Sequence, residues 1–167
     1  QGEIVIDGER REGKPDKAFF NRIGVGFERP NVYKKLSGLA NLKYHAELYD
    51  GETEDPMKVL EMVGLADEAG KKTGSYSKGM MQRIGLAQSL VNKPDLVFLD
   101  EPTDGVDPVG RKQIRDLLVR LKDTGKTIFL NSHLLSEVEL ICDRVAILNN
   151  GKLLRMGTVE ELTKHDQ

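Results

Sequence analysis

The spacing of apolar positions changes twice along this chain. Ile4-Val5-Ile6 and Ile23-Gly24-Val25-Gly26-Phe27 are short runs closed by Asp7-Gly8 and by Glu28-Arg29-Pro30, and both predict short strands. Over residues 37–92 the spacing becomes helical. Leu39, Leu42, Ala46 and Tyr49 share one face behind a capping Ser37. Asp55-Pro56 caps and opens a second helix carrying Val59, Leu60 and Val63, and Gly64 stops it. Met80, Ile84, Ala87 and Val91 form one stripe after Ser77. From Lys93 onward strands and helices alternate. Strands are expected at Leu96–Leu99, Thr127–Leu130 and Val145–Leu148, and helices after Asp107-Pro108 and after Ser132. Gly125 reads as a helix C-cap and Asn150-Gly151 as a hairpin turn returning through Lys152–Arg155. The pattern describes an α/β core with parallel strands, interrupted by a helical lobe and free of repeats.

Composition adds bounds. The chain has 167 residues, 31% charged and 38% apolar, with a formal charge of −2. That is an ordinary balance for a water-exposed α/β unit, with no broad basic footprint for nucleic acid and no polybasic membrane anchor. No apolar stretch has the length of a membrane span, so membrane association is expected through a partner. The single cysteine, Cys142, excludes an internal disulfide and fits a reducing compartment. Gln1-Gly2-Glu3 leads straight into the first strand, which reads as a cut chain.

Four short stretches carry candidate chemistry. Asp100 and Glu101 follow the apolar run Leu96-Val97-Phe98-Leu99, so two acids are expected at the rim of a sheet with side chains directed oppositely. One acid can hold magnesium while the other faces an attacking water, although two solvated acids would look the same. Ser77 and Gly79 open a helix whose N–H groups and dipole suit a phosphate; an ordinary N-cap uses the same residues. Met80 and Met81 read as core filler. Asp104-Gly105-Val106-Asp107 lacks the spacing of a calcium loop, and Asp107 before Pro108 suffices as a helix cap. His133 follows the strand Thr127–Leu130 and should lie on the same sheet edge as the two acids, unless it merely opens a helix.

Taken in order and spacing, Ser77-Lys78-Gly79-Met80-Met81-Gln82-Arg83, Leu96–Glu101, Gly105-Val106-Asp107 and His133 resemble the ATP-binding cassette (ABC) ATPases over nearly the whole chain. The resemblance implies a P-loop NTPase (RecA-like) α/β core, incomplete at its N-terminus, with an inserted helical subdomain. Residues 1–31 and 93–167 would form the core, and residues 32–92 the helical signature subdomain. It also implies ATP and Mg²⁺ as ligands. Ser77, Lys78 and Gly79 would match the signature turn that touches the γ-phosphate held by an opposing subunit. Asp100 would match the magnesium acid and Glu101 the catalytic base. Asp107 would match the acid that communicates across the dimer, and His133 the histidine that holds the γ-phosphate and aligns water. Glu28 falls where the family carries a glutamine that senses Mg²⁺ and the membrane partner. The implied partners are a transmembrane permease subunit and a second nucleotide-binding subunit at the cytoplasmic face of the membrane, with no nucleic acid.

Departures qualify the match. Lys78 stands for the first signature glycine, Met80 for the usual glutamine and Glu28 for glutamine, a combination resembling the drug- and polymer-exporting branch. The sequence contains no Gly-x-x-x-x-Gly-Lys-Ser/Thr. Its near miss, Gly125-Lys126-Thr127, has Arg120 five positions earlier and joins a helix to a strand rather than a strand to a helix. Loss of a central strand and helix would expose apolar sheet faces and open backbone groups, so these residues alone are expected to aggregate or self-pair and not to hydrolyse ATP. The alternatives are a non-catalytic shortened cassette serving as a binding module and a soluble ABC ATPase. The first differs in having no longer parent polypeptide, the second in needing long coiled coils or a second cassette.

Overall fold

The computed structural model describes residues 3–6, 8–11, 13 and 17–163. Gln1, Gly2 and the expected turn residue Asp7 lie outside the described residues. Strands β1 (Val5–Ile6) and β2 (Glu9–Arg10) pair antiparallel, with Val5 opposite Arg10. A five-residue helix, α1 (Lys17–Asn21), follows; it is too short to show a period, and the sequence pattern did not predict it. Next come β3 (Ile23–Gly26) and three helices, α2 (Gly38–Ala46), α3 (Pro56–Met62) and α4 (Lys78–Leu90). Each of these helices begins at the cap read from the sequence. Ser37 accepts from the Ala40 amide, Asp55 from Met57 and Ser77 from Met80. Gly64 takes φ 69° where α3 has ended.

The remaining elements alternate. They are β4 (Leu96–Asp100), α5 (Pro108–Asp123), β5 (Thr127–Asn131), α6 (Leu135–Ile141), β6 (Val145–Asn149), β7 (Lys152–Gly157) and α7 (Val159–Thr163). Strands β3, β4 and β5 form a parallel sheet in that order, Gly26 opposite Leu99 and Asp100 opposite Asn131. Strands β6 and β7 form a separate antiparallel hairpin among the described residues.

Helix α4, the last helix of the lobe, lies between α2 and α3 on one side and the sheet on the other, and Gln82 and every residue from Ile84 to Leu90 are buried. One side meets Leu42, Val59 and Leu60 of α2 and α3; the other meets β3. That second approach requires Gly24, because a Cβ there would overlap the Ser89 carbonyl. Asn92, just beyond α4, fastens the same junction through Nδ2 to the carbonyls of Asn21 (3.0 Å) and Ile23 (2.8 Å). Within the lobe, the buried Asn41 accepts from the Tyr33 amide at 2.7 Å and donates to the Ser37 carbonyl at 3.0 Å, fixing the loop that leaves the sheet. The core continues through Val97, Leu99, Ile114 and Leu118. By contrast β5 and the β6–β7 hairpin leave large apolar side chains exposed, among them Phe129, Leu148 and Leu153.

Candidate functional site

The parallel sheet sets the site, because the ends of β4 and β5 fall on one edge. Asp100 is the last residue of β4. Its Oδ1 accepts from Asn131 Nδ2 at 2.8 Å, while its other carboxylate oxygen has no partner among the described residues. Beside it Gly26, Phe27, Gln82 and Pro102 line a small cleft. The chain then leaves the strand abruptly. Glu101 sits at φ 47°, a left-handed conformation uncommon for a residue with a side chain. Its amide is held by the Asn131 carbonyl at 3.0 Å.

That turn aims the Glu101 carboxylate at His133, whose Nδ1 lies 2.9 Å from Oε2. The Glu101 side chain is 18% exposed and that of His133 61%. The hydrogen bond that His133 donates to Glu101 is the main influence raising the His133 pKa above its ordinary value. The charges of Glu101 and Asp104 act in the same direction, and desolvation and Arg111 oppose them. Facing a carboxylate, Nδ1 carries the hydrogen and donates it to Oε2, and no described residue occupies Nε2.

The start of α4 is built differently. Ser77 Oγ accepts from the Met80 amide at 3.2 Å, and Asp107 Oδ1 accepts from the Gly110 amide at 2.7 Å, so both side chains act as helix caps. Lys78 reaches out of the turn to Asp104, with Nζ 3.1 Å from Oδ2. Gly79 packs beside Val106. Met80 and Met81 lean half-buried on the core, as filler does. Glu28 is exposed; its carbonyl accepts from Gln82 Nε2 at 2.9 Å, while its carboxylate has no partner among the described residues.

The structure therefore brings Asp100, Glu101 and His133 together, and places Ser77–Gly79 against the loop 104–107. Among the described residues no side-chain contact brings Glu28 to either group; its backbone carbonyl holds Gln82. Two residues that the sequence analysis did not select, Asn131 and Asp104, connect these groups. Asn131 could have been found from register, since it ends the neighbouring strand opposite Asp100.

The model of the ABC transporter family matches residues 1–104. The chain belongs to this family. It is 49% identical over 158 residues to the fluoroquinolones export ATP-binding protein of Mycobacterium tuberculosis, covering 95% of this chain and 52% of that relative. It is 40% identical over 168 residues to the bacitracin transport ATP-binding protein BcrA of Bacillus licheniformis, covering 99% of this chain and 55% of the relative. The chain thus spans about half the length of these curated relatives. Among solved structures it is similar to the ATP-binding cassette MJ0796, in a dimeric post-hydrolysis state bound to ADP and Pi. The identity is 25% and the TM-score 0.80, with 95% of this chain and 74% of that one covered. A second cassette, MJ1267 in its ADP conformation, matches with TM-score 0.82, 25% identity and coverage of 98% and 72%. The α/β core is accordingly that of an ABC ATPase, a family that binds nucleotide. Among the described residues no helix is long and apolar enough to cross a membrane.

Proposed function

We propose that this chain forms the part of an ABC transporter ATPase subunit that supplies the general base, the magnesium carboxylate and the signature turn. The observation carrying this reading is the 2.9 Å contact of Glu101 with His133 one residue after Asp100, on the C-terminal edge of a parallel sheet. Glu101 takes a proton from the attacking water. His133 holds that carboxylate through Nδ1 and offers Nε2 to the γ-phosphate. Asp100 is the metal-facing acid, and Glu28 stands on the same sheet edge. Among the described residues no group of three or more His, Cys, Asp or Glu could enclose a cation. A single exposed carboxylate suits Mg²⁺, which keeps waters and phosphate oxygens in its shell. Bound there, magnesium supplies charge neutralisation at the phosphates.

Ser77 and Gly79 serve an ATP held by a second nucleotide-binding subunit, with Asp107 beside them, so the working unit is a dimer on a transmembrane permease at the cytoplasmic face. The lobe of residues 32–92 meets that permease. A pocket of about 250 Å³ opens where the lobe joins the sheet, rimmed by exposed Phe27, Tyr33, Tyr44 and Leu48. The cargo is an exported drug-like or antibiotic molecule, in line with the two relatives above.

The test is hydrolysis of magnesium-ATP by the polypeptide that carries this chain in the cell. Glu101→Gln should lower turnover by about 10²–10⁴-fold, the range for a lost general base. Near-normal turnover would defeat the assignment. The purified 167-residue chain, which contains no Gly-x-x-x-x-Gly-Lys-Ser/Thr cradle, should by itself show no magnesium-dependent ATPase activity.

A further inference from the structure

We infer that Lys78 and Asp104 are positioning residues for hydrolysis, tying the start of α4 to the Glu101–His133 contact within one chain. The inference rests on the catalytic roles proposed above for Glu101 and His133.

The geometry is a continuous run of contacts. The stem of Lys78 crosses the backbone at Gly105 so closely that a Cβ there would overlap Lys78 Nζ, Cε and Cδ. Gly105 takes φ 60°, a conformation that favours glycine, and a Cβ there would have to push the end of the Lys78 side chain aside. From that crossing Lys78 Nζ reaches Asp104 Oδ2 at 3.1 Å. Beneath it, a Cβ on Gly79 would lie 3.4 Å from Cγ1 of Val106, which is itself buried. Two adjacent residues of the α4 turn, Lys78 and Gly79, thus lie against three consecutive residues of the loop after β4, Asp104, Gly105 and Val106.

The loop hands the contact on to the acid. The Asp104 amide donates to the Glu101 carbonyl at 3.0 Å, closing the turn that holds Glu101 at φ 47°. Such a backbone persists only where its surroundings over-determine it, and Asp104 is part of those surroundings. Glu101 then meets His133 at 2.9 Å. A glycine at position 78, the residue usual in the family, could not make this reach. Lys78 therefore adds to the turn–loop junction an ion pair that leads toward the base.

The experiment is a double-mutant cycle in the polypeptide that carries this chain, read as magnesium-ATP turnover and as the NMR shifts of the His133 ring. Lys78→Met and Asp104→Asn should each lower kcat by about two- to fivefold, the scale of one partly exposed ion pair, with KM for ATP unchanged. The double variant should fall no further than either single one. Both single variants should move the His133 resonances. Losses that multiply, or His133 resonances that ignore Lys78→Met, would overturn the inference. Glu101→Gln, run alongside, separates the two levels. Intact turnover in that variant defeats the proposed function, whereas its collapse beside unaffected pair variants defeats only the positioning role.

Discussion

Two regions of the site place polar side chains at the ends of regular elements, and they do so in opposite ways. At the starts of α4 and α5, Ser77 and Asp107 do what such residues do at helix N-termini elsewhere: each accepts one amide and relaxes the first turn. At the ends of β4 and β5 the backbone is driven off its ordinary course. Glu101 adopts a positive φ, and its carboxylate is spent on an imidazole rather than on a neighbouring amide. The first arrangement contributes to stability before any ligand arrives. The second carries a conformational cost of the kind that gathers at functional sites.

Substitutions can sharpen or break that contrast. The largest expected effect is at the strand ends: His133→Ala should reduce turnover by about 10²-fold or more while leaving the melting temperature nearly unchanged, since His133 is largely exposed. Equal losses of activity and stability would erase the distinction. At the helix starts the order reverses. Ser77→Ala and Asp107→Ala should each cost about 1 kcal/mol of folding stability, measured by denaturant titration. If Ser77 also serves the opposing subunit's ATP, its loss of turnover will exceed what that destabilisation explains.

A smaller effect concerns protonation. Glu101 raises the His133 pKa through its hydrogen bond. Glu101→Gln should therefore lower the His133 midpoint in an NMR titration. The sign for stability follows from the raised folded value. The contribution of the contact is fully present below the unfolded histidine value and is lost as pH rises through the raised one. An unchanged midpoint would mean that the 2.9 Å contact is not formed in solution. The smallest effect is expected on the open face of β5. Phe129→Ser, which removes one cross-strand ring contact with Phe98, should cost no more than about 1 kcal/mol, whereas Leu118→Ala in the core should cost about 2–5 kcal/mol. Comparable losses would show that Phe129 is covered in solution.

The sequence was most legible where local rules and tertiary structure agree. Ser37, Asp55, Ser77 and Asp107 cap the helices they announce, and the strands of the parallel sheet lie within a residue of where the apolar runs place them. Helices α1 and α7 escaped because five residues do not complete two turns, too little for a period to show. At the site, the acids and the histidine were readable from type and order. Their contact depends on the left-handed backbone of Glu101, which no propensity encodes. Asn131 and Asp104 were hidden for a related reason: each acquires its role from a partner 31 or 26 positions away in sequence.

Helix α4 has a thermodynamic consequence of its own. Ile84, Ala87 and Val91 serve the lobe and the sheet in one hydrophobic cluster, so neither body keeps a complete interior once the helix departs. Melting of the two should then be a single cooperative event, with calorimetric and van't Hoff enthalpies in agreement. Amides of α2 and of β4 should exchange with deuterium through the same global opening.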